Sequence, residues 1–312
     1  MNAASVKGKL KNIARESGKS FQGLLISYGL ERTIYRLSVS NYKENFILKG
    51  GIFYYALYDG DYPRATSDID FLACNISNDP DSIKTVFREI FLLPGIDDPL
   101  IFDPESLAVE NIAEQKKYHG INVSITAMLD RTKIPVSVDI GFGDKLYPEK
   151  VLMDFPIILS DESPEVYAYS VCSSIAEKFE AIVSLGFDNS RFKDFYDIYV
   201  NASKREFDGA TLLESFRETF ENRNTDIGEI VAFEDEYVTD PLRVSRWNNF
   251  AKKKKISLSI TLEDTSFRGR VLHANTAYQV YSLHFLVFLY SLSDASFSRS
   301  QWHIYDRNTY RK

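Results

Sequence analysis

Residues 64 to 70 read Arg-Ala-Thr-Ser-Asp-Ile-Asp and run directly into Phe71-Leu72-Ala73. The Asp68-x-Asp70 pair inside that apolar run constrains the fold more than any other feature of the chain. In a strand, residues i and i+2 project from one face about 7 Å apart along the backbone, so both carboxylates converge on one point. Two like charges on one sheet face repel each other unless a cation or an arginine neutralises them. A divalent cation bound there removes that cost. A lone D-x-D also fits a turn in which Ser67 and Asp68 cap a neighbouring segment.

Some twenty residues upstream, Phe46-Ile47-Leu48 leads into Lys49-Gly50-Gly51 and then Ile52 to Leu57, the pattern of a short strand, a glycine turn and a helix. Such a turn exposes backbone N–H groups at a helix N-terminus, where phosphate binds readily. Two adjacent glycines also serve simply to permit a tight turn. Downstream, Ile134-Pro-Val-Ser-Val-Asp139-Ile140 alternates as a strand does and sets a third carboxylate in an apolar setting, where an unpaired charge is costly. Three carboxylates on two strands beside a glycine turn form the outline of a two-metal nucleotide site.

The order of glycine turn, helix, D-x-D strand and later single-Asp strand resembles the nucleotidyltransferase superfamily of DNA polymerase beta type. Four strings narrow it: Leu48-Lys49-Gly50-Gly51, Arg64-x-Thr66-x-Asp68-Ile69-Asp70-Phe71, Ala176-Glu177-Lys178-Phe179-Glu180-Ala181, and Arg191-Phe192-Lys193-Asp194-Phe195-Tyr196-Asp197. Together they are similar to the AbiEii family of nucleotidyltransferase toxins, the branch that includes the MenT toxins. With the stretch from Tyr28 to Ser40, the likeness covers roughly residues 1 to 225. One departure is that the superfamily usually has Gly-Ser where this chain has Gly50-Gly51, so phosphate contact falls to backbone N–H groups and to Ser67.

The resemblance implies an α/β fold: a polymerase-beta-like nucleotidyltransferase core with a mixed sheet over residues 1–160, then a helical domain over 161–265 closing the active-site cleft. It implies a metal-dependent nucleotidyltransferase, the toxin of a toxin–antitoxin pair, moving nucleotides from a nucleoside triphosphate to RNA with the tRNA 3′ end favoured. Asp68 and Asp70 would bridge two Mg²⁺ ions and Asp139 would hold the ion on the acceptor side. Gly50, Gly51 and Ser67 would hold phosphate oxygens, Lys178 would counter triphosphate charge beside Asp194, and Arg64 would act as scaffold or substrate contact. A cognate antitoxin is the expected protein partner. Two alternatives stay open: transfer to a small molecule such as an antibiotic or to a protein, and a non-catalytic nucleotide-binding module. The intact Asp68, Asp70 and Asp139 argue against the last.

Composition narrows the partners. A net charge of −7 argues against a surface that binds nucleic acid all over, leaving room for a local basic groove. The two cysteines, Cys74 and Cys172, sit in contexts that read as strand and helix cores, which suits a reducing cytoplasm. The Lys-rich N-terminus lacks the apolar core of a secretory signal, and the apolar run from Tyr278 to Leu292 contains Gln279, Ser282 and His284 and is too short to span a bilayer, so no membrane is expected.

Along the chain, residues 3–16 and 20–38 read as helices, the second with Phe21, Leu24, Leu25 and Tyr28 on one face. Asp81 to Leu93 reads as a helix, and segments near 107–117, 121–130 and 133–141 as a meander. A helix is expected to begin at Ser163-Pro164, with Ser as N-cap, and to bury Ile175, Ala176 and Phe179 while Lys178 stands off that face, exposed. In the next helix, about 191–203, Arg191 with Asp194 and Lys193 with Asp197 also fit ordinary surface ion pairs. Lys252 to Lys255, beside Trp247 and Phe250, read either as a grip for phosphates and a stacked base or as a solvated run.

The stretch from Ser266 to Lys312 holds six basic and two acidic side chains and three of the four histidines of a chain that is acidic overall. It lies outside the family likeness, and no metal-ligand spacing links His273, His284 and His303. It reads as a divergent C-terminal helix or as the product of an altered reading frame.

Overall fold

The computed structural model describes residues 1–64, 66–112, 120–159, 162–205, 207–226 and 230–266. The chain divides into two units, Met1–Asp144 with Lys150–Tyr169, and Lys145–Glu149 with Ser170–Lys312.

The first unit opens with two helices, α1 (Ala3–Ser17) and α2 (Phe21–Ser38), each started by a polar cap. The side chains of Asn2 and Ser20 accept from the N–H groups of Ser5 and Gly23, satisfying donors that a helix start leaves orphaned. There follow β1 (Phe46–Lys49), α3 (Gly50–Leu57), β2 (Ile69–Ala73), α4 (Pro80–Phe91), β3 (Leu100–Ile112), β4 (Gly120–Leu129), β5 (Thr132–Phe142), β6 (Val151–Asp154) and β7 (Glu165–Ala168). The strands form one sheet in the order β3-β4-β5-β2-β1-β7-β6. It is the mixed sheet that the family likeness implied: β2 runs parallel to β5 and β1 parallel to β7, and the remaining pairs are antiparallel.

Alternation along β4 and β5 sorts the two faces. Ile121, Val123, Ile125 and Leu129, with Ile134, Val136, Val138 and Ile140, are buried, each such side chain contributing about 1.5–3 kcal/mol. Helix α2 lies against this face at Gly29, where a β-carbon would come within 2.8 Å of Ile134 Cγ2, so only glycine permits the approach. The intervening residues Asn122, Ser124, Thr126, Ser137 and Asp139 are half-buried on the other face. Arg32 and Arg36 of α2 both reach Asp98, at 2.8 Å each, and pin the loop that enters β3.

Two expectations are corrected. The first meander strand starts at Leu100, seven residues earlier than its alternation suggests, because a register shift between Asp103 and Ala108 breaks the period of two; residues 113–119 lie outside the described set. No helix starts at Ser163-Pro164. The Pro164 carbonyl accepts from Phe155 N–H at 2.8 Å, and Val166 and Ala168 turn inward as β7. The helix begins only after Ser170, whose hydroxyl accepts from Ser173 N–H.

In the second unit the described elements are helical: α5 (Val171–Leu185), α6 (Phe192–Lys204), α7 (Gly209–Arg223), α8 (Asp235–Thr239), α9 (Pro241–Lys254) and α10 (Leu262–Thr265), with two short 3₁₀ turns. Ile175, Phe179, Ile182, Phe195, Phe216 and Phe220 form its core. Cys74 and Cys172 are both half-buried and free rather than fully in a core. Among the described residues, no helix is long and apolar enough to cross a membrane. The apolar run from Tyr278, the three tail histidines and the rest of the 266–312 stretch beyond Ser266 lie outside the described residues.

Candidate functional site

The register of the sheet brings the acidic residues together. Asp70 on β2 is the direct neighbour of Asp139 on parallel β5, and Lys49 on β1 flanks Asp70 from the other side. Asp68, just before β2, projects to the same face as Asp70. The three carboxylates present oxygen atoms within 4.8 Å of one another, and all three residues are half-buried. Three like charges at that range repel strongly unless a cation lies among them.

Asp68 and Asp139 are each held by one oxygen. Asp68 Oδ1 accepts from Thr66 Oγ1 at 2.9 Å and from Ser67 N–H at 3.3 Å. Asp139 Oδ1 accepts from Asn122 Nδ2 at 2.6 Å, and the same amide nitrogen donates to Ser137 Oγ at 2.8 Å. Asp70 Oδ2 accepts from Gly51 N–H at 3.4 Å. Fixed in this way, Asp68 and Asp139 keep their second oxygens for a ligand. The donor set, carboxylate oxygens only, is that of a hard divalent cation such as Mg²⁺ and not of a softer metal that prefers nitrogen or sulfur.

The glycine turn closes on the same point. Gly50 has φ +67°, a left-handed conformation that side chains disfavour, and a β-carbon there would overlap the Asp70 carboxylate. At Gly51 a β-carbon would lie 2.9 Å from Thr66 Oγ1 and 3.1 Å from the Arg64 guanidinium. The space that a serine would take at this position is thus filled by Thr66 and by Arg64, which is itself buried. The turn leads into α3, where Lys49 makes no side-chain capping bond and the Gly51 N–H is directed at the Asp70 carboxylate. Lys49 is engaged with Asp144 at 3.2 Å and stacks over the Tyr169 ring, so its role includes tying β1 to the end of β5. Ser67 is exposed beside Asp68.

In the second unit Lys178 is not exposed, as its position off the apolar stripe suggested, but only 7% accessible. Its ammonium lies 2.9 Å from Asp194 Oδ1 and 2.9 Å from Asp197 Oδ2, both carboxylates being fully buried. Burial pushes the Asp194 carboxyl upward, but Lys178, Arg191 and Lys193 outweigh it and hold the group below its ordinary value. Arg191 completes the cluster, its Nε donating to Asp194 Oδ2 at 2.7 Å. The Arg191–Asp194 pair is as its spacing suggests; Asp197 turns inward to Lys178, because the apolar stripe of α6 carries it into the core.

Of the aromatic pair beside the lysine run, Trp247 is internal. Trp247 is buried and donates from Nε1 to the Ile260 carbonyl at 3.0 Å, and Phe250 packs on Trp247 and Phe192. Trp247 offers no face for stacking a base; Phe250 is half-buried, and Lys252, Lys253 and Lys255 are exposed.

Sequence reasoning passed over Asn122 and Asp144 and gave no role to Thr66. Thr66 carried a signal, two residues before Asp68 in the motif string. Asn122 carried none, because its contact with Asp139 depends on the register of β4 on β5.

The sequence profile of the family described as "Nucleotidyl transferase AbiEii toxin, Type IV TA system" matches residues 32–268. No curated protein matches the chain. Among solved structures, JHP933 from Helicobacter pylori is similar at 15% identity and a TM-score of 0.49, covering 86% of this chain and 99% of that one. An antigenic nucleotidyltransferase-like protein from Paracoccidioides brasiliensis is similar at 12% identity and a TM-score of 0.33, covering 75% of this chain and 92% of that one.

Proposed function

Because the chain belongs to the AbiEii family of nucleotidyl transferase toxins of type IV toxin–antitoxin systems, we propose that it transfers a nucleotide from a nucleoside triphosphate to RNA, with the tRNA 3′ end as the favoured acceptor. In this reading it acts in the cytoplasm and a separately encoded antitoxin neutralises it. The observation that carries the reading is the convergence of Asp68, Asp70 and Asp139 within 4.8 Å beside the Gly50-Gly51 turn.

In nucleotidyl transfer an acceptor hydroxyl gives up its proton to water and bonds to the α-phosphorus, while the bond to pyrophosphate breaks and pyrophosphate leaves with the electron pair. Two Mg²⁺ ions held by Asp68 and Asp70, with Asp139 on the acceptor side, would stabilise charge on the attacking and leaving oxygens. The chain's own part is to fix the three carboxylates, through Thr66, Gly51 and Asn122, before any ligand arrives. Gly50, Gly51 and the adjacent Ser67 are carried in this reading as phosphate contacts, with Arg64 as the buried scaffold behind. Lys178 and Asp194 are carried in this reading as residues for the triphosphate, as the family likeness implies.

The test is to incubate the purified protein with each labelled nucleoside triphosphate, Mg²⁺ and total RNA. Label appearing on tRNA, lost on chelation of Mg²⁺ and lost in Asp139→Ala, is the expected result. Label on a small molecule or a protein instead of RNA would replace the acceptor, and no label on any acceptor would remove the transfer reading.

A further inference from the structure

A cavity of about 260 Å³ opens beside the N-terminal half of β5, where β2 has not yet begun. Ser67, Ser124, Thr126 and Ser137 line it, with Ile26 and Pro135 among the apolar wall. Ser124, Thr126 and Ser137 share the strand face of Asn122 and Asp139, and Ser137 lies two residues from Asp139, about 7 Å along the strand. The cavity therefore adjoins the carboxylate cluster on its Asp139 side.

Its chemistry is narrow. No lining residue is charged, so it suits neither a phosphate nor the ammonium groups of a polycationic small molecule. Hydroxyls without partners remain instead. Among the described residues nothing pairs with the hydroxyls of Ser124 or Thr126, although both residues are half-buried. Ser137 Oγ accepts from Asn122, which leaves its own O–H to donate. These hydroxyls are open to solvent and so can exchange water for the hydroxyls of a ligand. The volume is below the roughly 300–1,000 Å³ of sites that enclose a drug-sized molecule, and fits one sugar ring better than a whole nucleotide.

We propose that this cavity is the acceptor subsite, seating the terminal ribose of the RNA with its vicinal hydroxyls on Ser124, Thr126 and Ser137. The inference rests on the nucleotidyl-transfer reading for the role of the ribose, and on the cavity's own chemistry for its recognition. Asn122, bonded to both Asp139 and Ser137, is then a positioning residue that links the bound sugar to the carboxylate on the acceptor side.

The test uses the full chain and its Ser124→Ala/Thr126→Val variant, with labelled oligoribonucleotides that end in ribose or in 2′-deoxyribose. Binding is measured by fluorescence anisotropy, and KM for oligonucleotide and for triphosphate separately. The parent should prefer the ribose end by roughly tenfold, as one or two hydrogen bonds would supply. In the variant that preference should fall to near unity and the oligonucleotide KM should rise about tenfold, with the triphosphate KM unchanged. Unchanged preference and unchanged oligonucleotide KM would overturn the subsite, as would a rise in the triphosphate KM alone. If the parent discriminates in binding, the variant does not, and neither transfers any nucleotide, the subsite stands and the transfer reading falls. Should the double variant melt at a much lower temperature, Thr126→Val alone, which keeps the side chain's shape, carries the same comparison.

Discussion

Gly50 and Asp70 occupy each other's space: a β-carbon on Gly50 would overlap the Asp70 carboxylate and come within 2.7 Å of its Cβ. The glycine turn is therefore shaped around the carboxylate as much as around any phosphate. Gly51 N–H, the next donor along, points at the same carboxylate from 3.4 Å.

Gly50→Ala should destabilise the protein by more than the roughly 1–2 kcal/mol of a left-handed side chain alone, since the overlap adds to it. Adding Asp70→Gly should recover much of the melting temperature while leaving transfer abolished. A single Gly50→Ala variant that melts with the parent would show that the two residues do not share this space.

Asp68→Ala should reduce transfer by about a thousandfold or more, the scale of several kcal/mol of charge stabilisation. Its melting temperature without Mg²⁺ should stay close to that of the parent, because one of three repelling carboxylates has gone. Mg²⁺ should raise the melting temperature of the parent and not of the variant. Equal Mg²⁺ responses in the two proteins would count against a metal at this cluster.

Lys178→Met should cost about 3–5 kcal/mol, because it leaves Asp194 and Asp197 buried without their shared cation. Lys178→Met together with Asp194→Asn and Asp197→Asn should regain most of that loss. Asp194 has a lowered pKa, so its stabilisation is present above the ordinary value of 3.8 and is lost as pH falls below it through the folded value. Thermal melts between pH 2 and 6 read this directly. A Lys178→Met variant with parental stability but weakened triphosphate binding would make the lysine a substrate contact alone.

Glu31 predicts an opposite pH dependence. Burial pushes its carboxyl from 4.5 up to about 7, only partly offset by the Ile158 N–H that it accepts and by Arg32. Between those values the folded state holds a proton that the unfolded state has released. Stability from this group is therefore full below pH 4.5 and declines as pH rises to about 7. Glu31→Gln should remove that slope and raise stability at pH 8 by up to roughly 3 kcal/mol. Denaturant melts at pH 5 and pH 8 that change equally in parent and variant would contradict it.

Replacing Lys252, Lys253 and Lys255 by Ser tests whether the exposed run grips RNA. Each lysine that neutralises a phosphate contributes roughly one unit to the slope of log affinity against log salt, so the slope should fall by about two to three. Mg²⁺-dependent nucleotide binding should not change. Identical salt slopes in the two proteins would leave the run as a solvated helix end.

The sequence by itself determined the local elements and the kind of chemistry. The period-two pattern of Ile134 to Ile140 and the helical spacing of Leu24, Leu25 and Tyr28 each depend on residues close in the chain, and each appears in the fold. Asp68, Asp70 and Asp139 were legible for the same reason: a carboxylate among apolar residues stands out where it lies. What only the tertiary structure decided was pairing. Asp139 lies beside Asp70 because β5 runs parallel to β2 in one register, and a slip by one residue would turn it to the opposite face. Asn122 reaches Asp139, Asp197 turns to Lys178 and Trp247 sinks into a core because strand register and helix rotation put them there. Those choices are made by burial summed over many distant residues, and no window of sequence contains that sum.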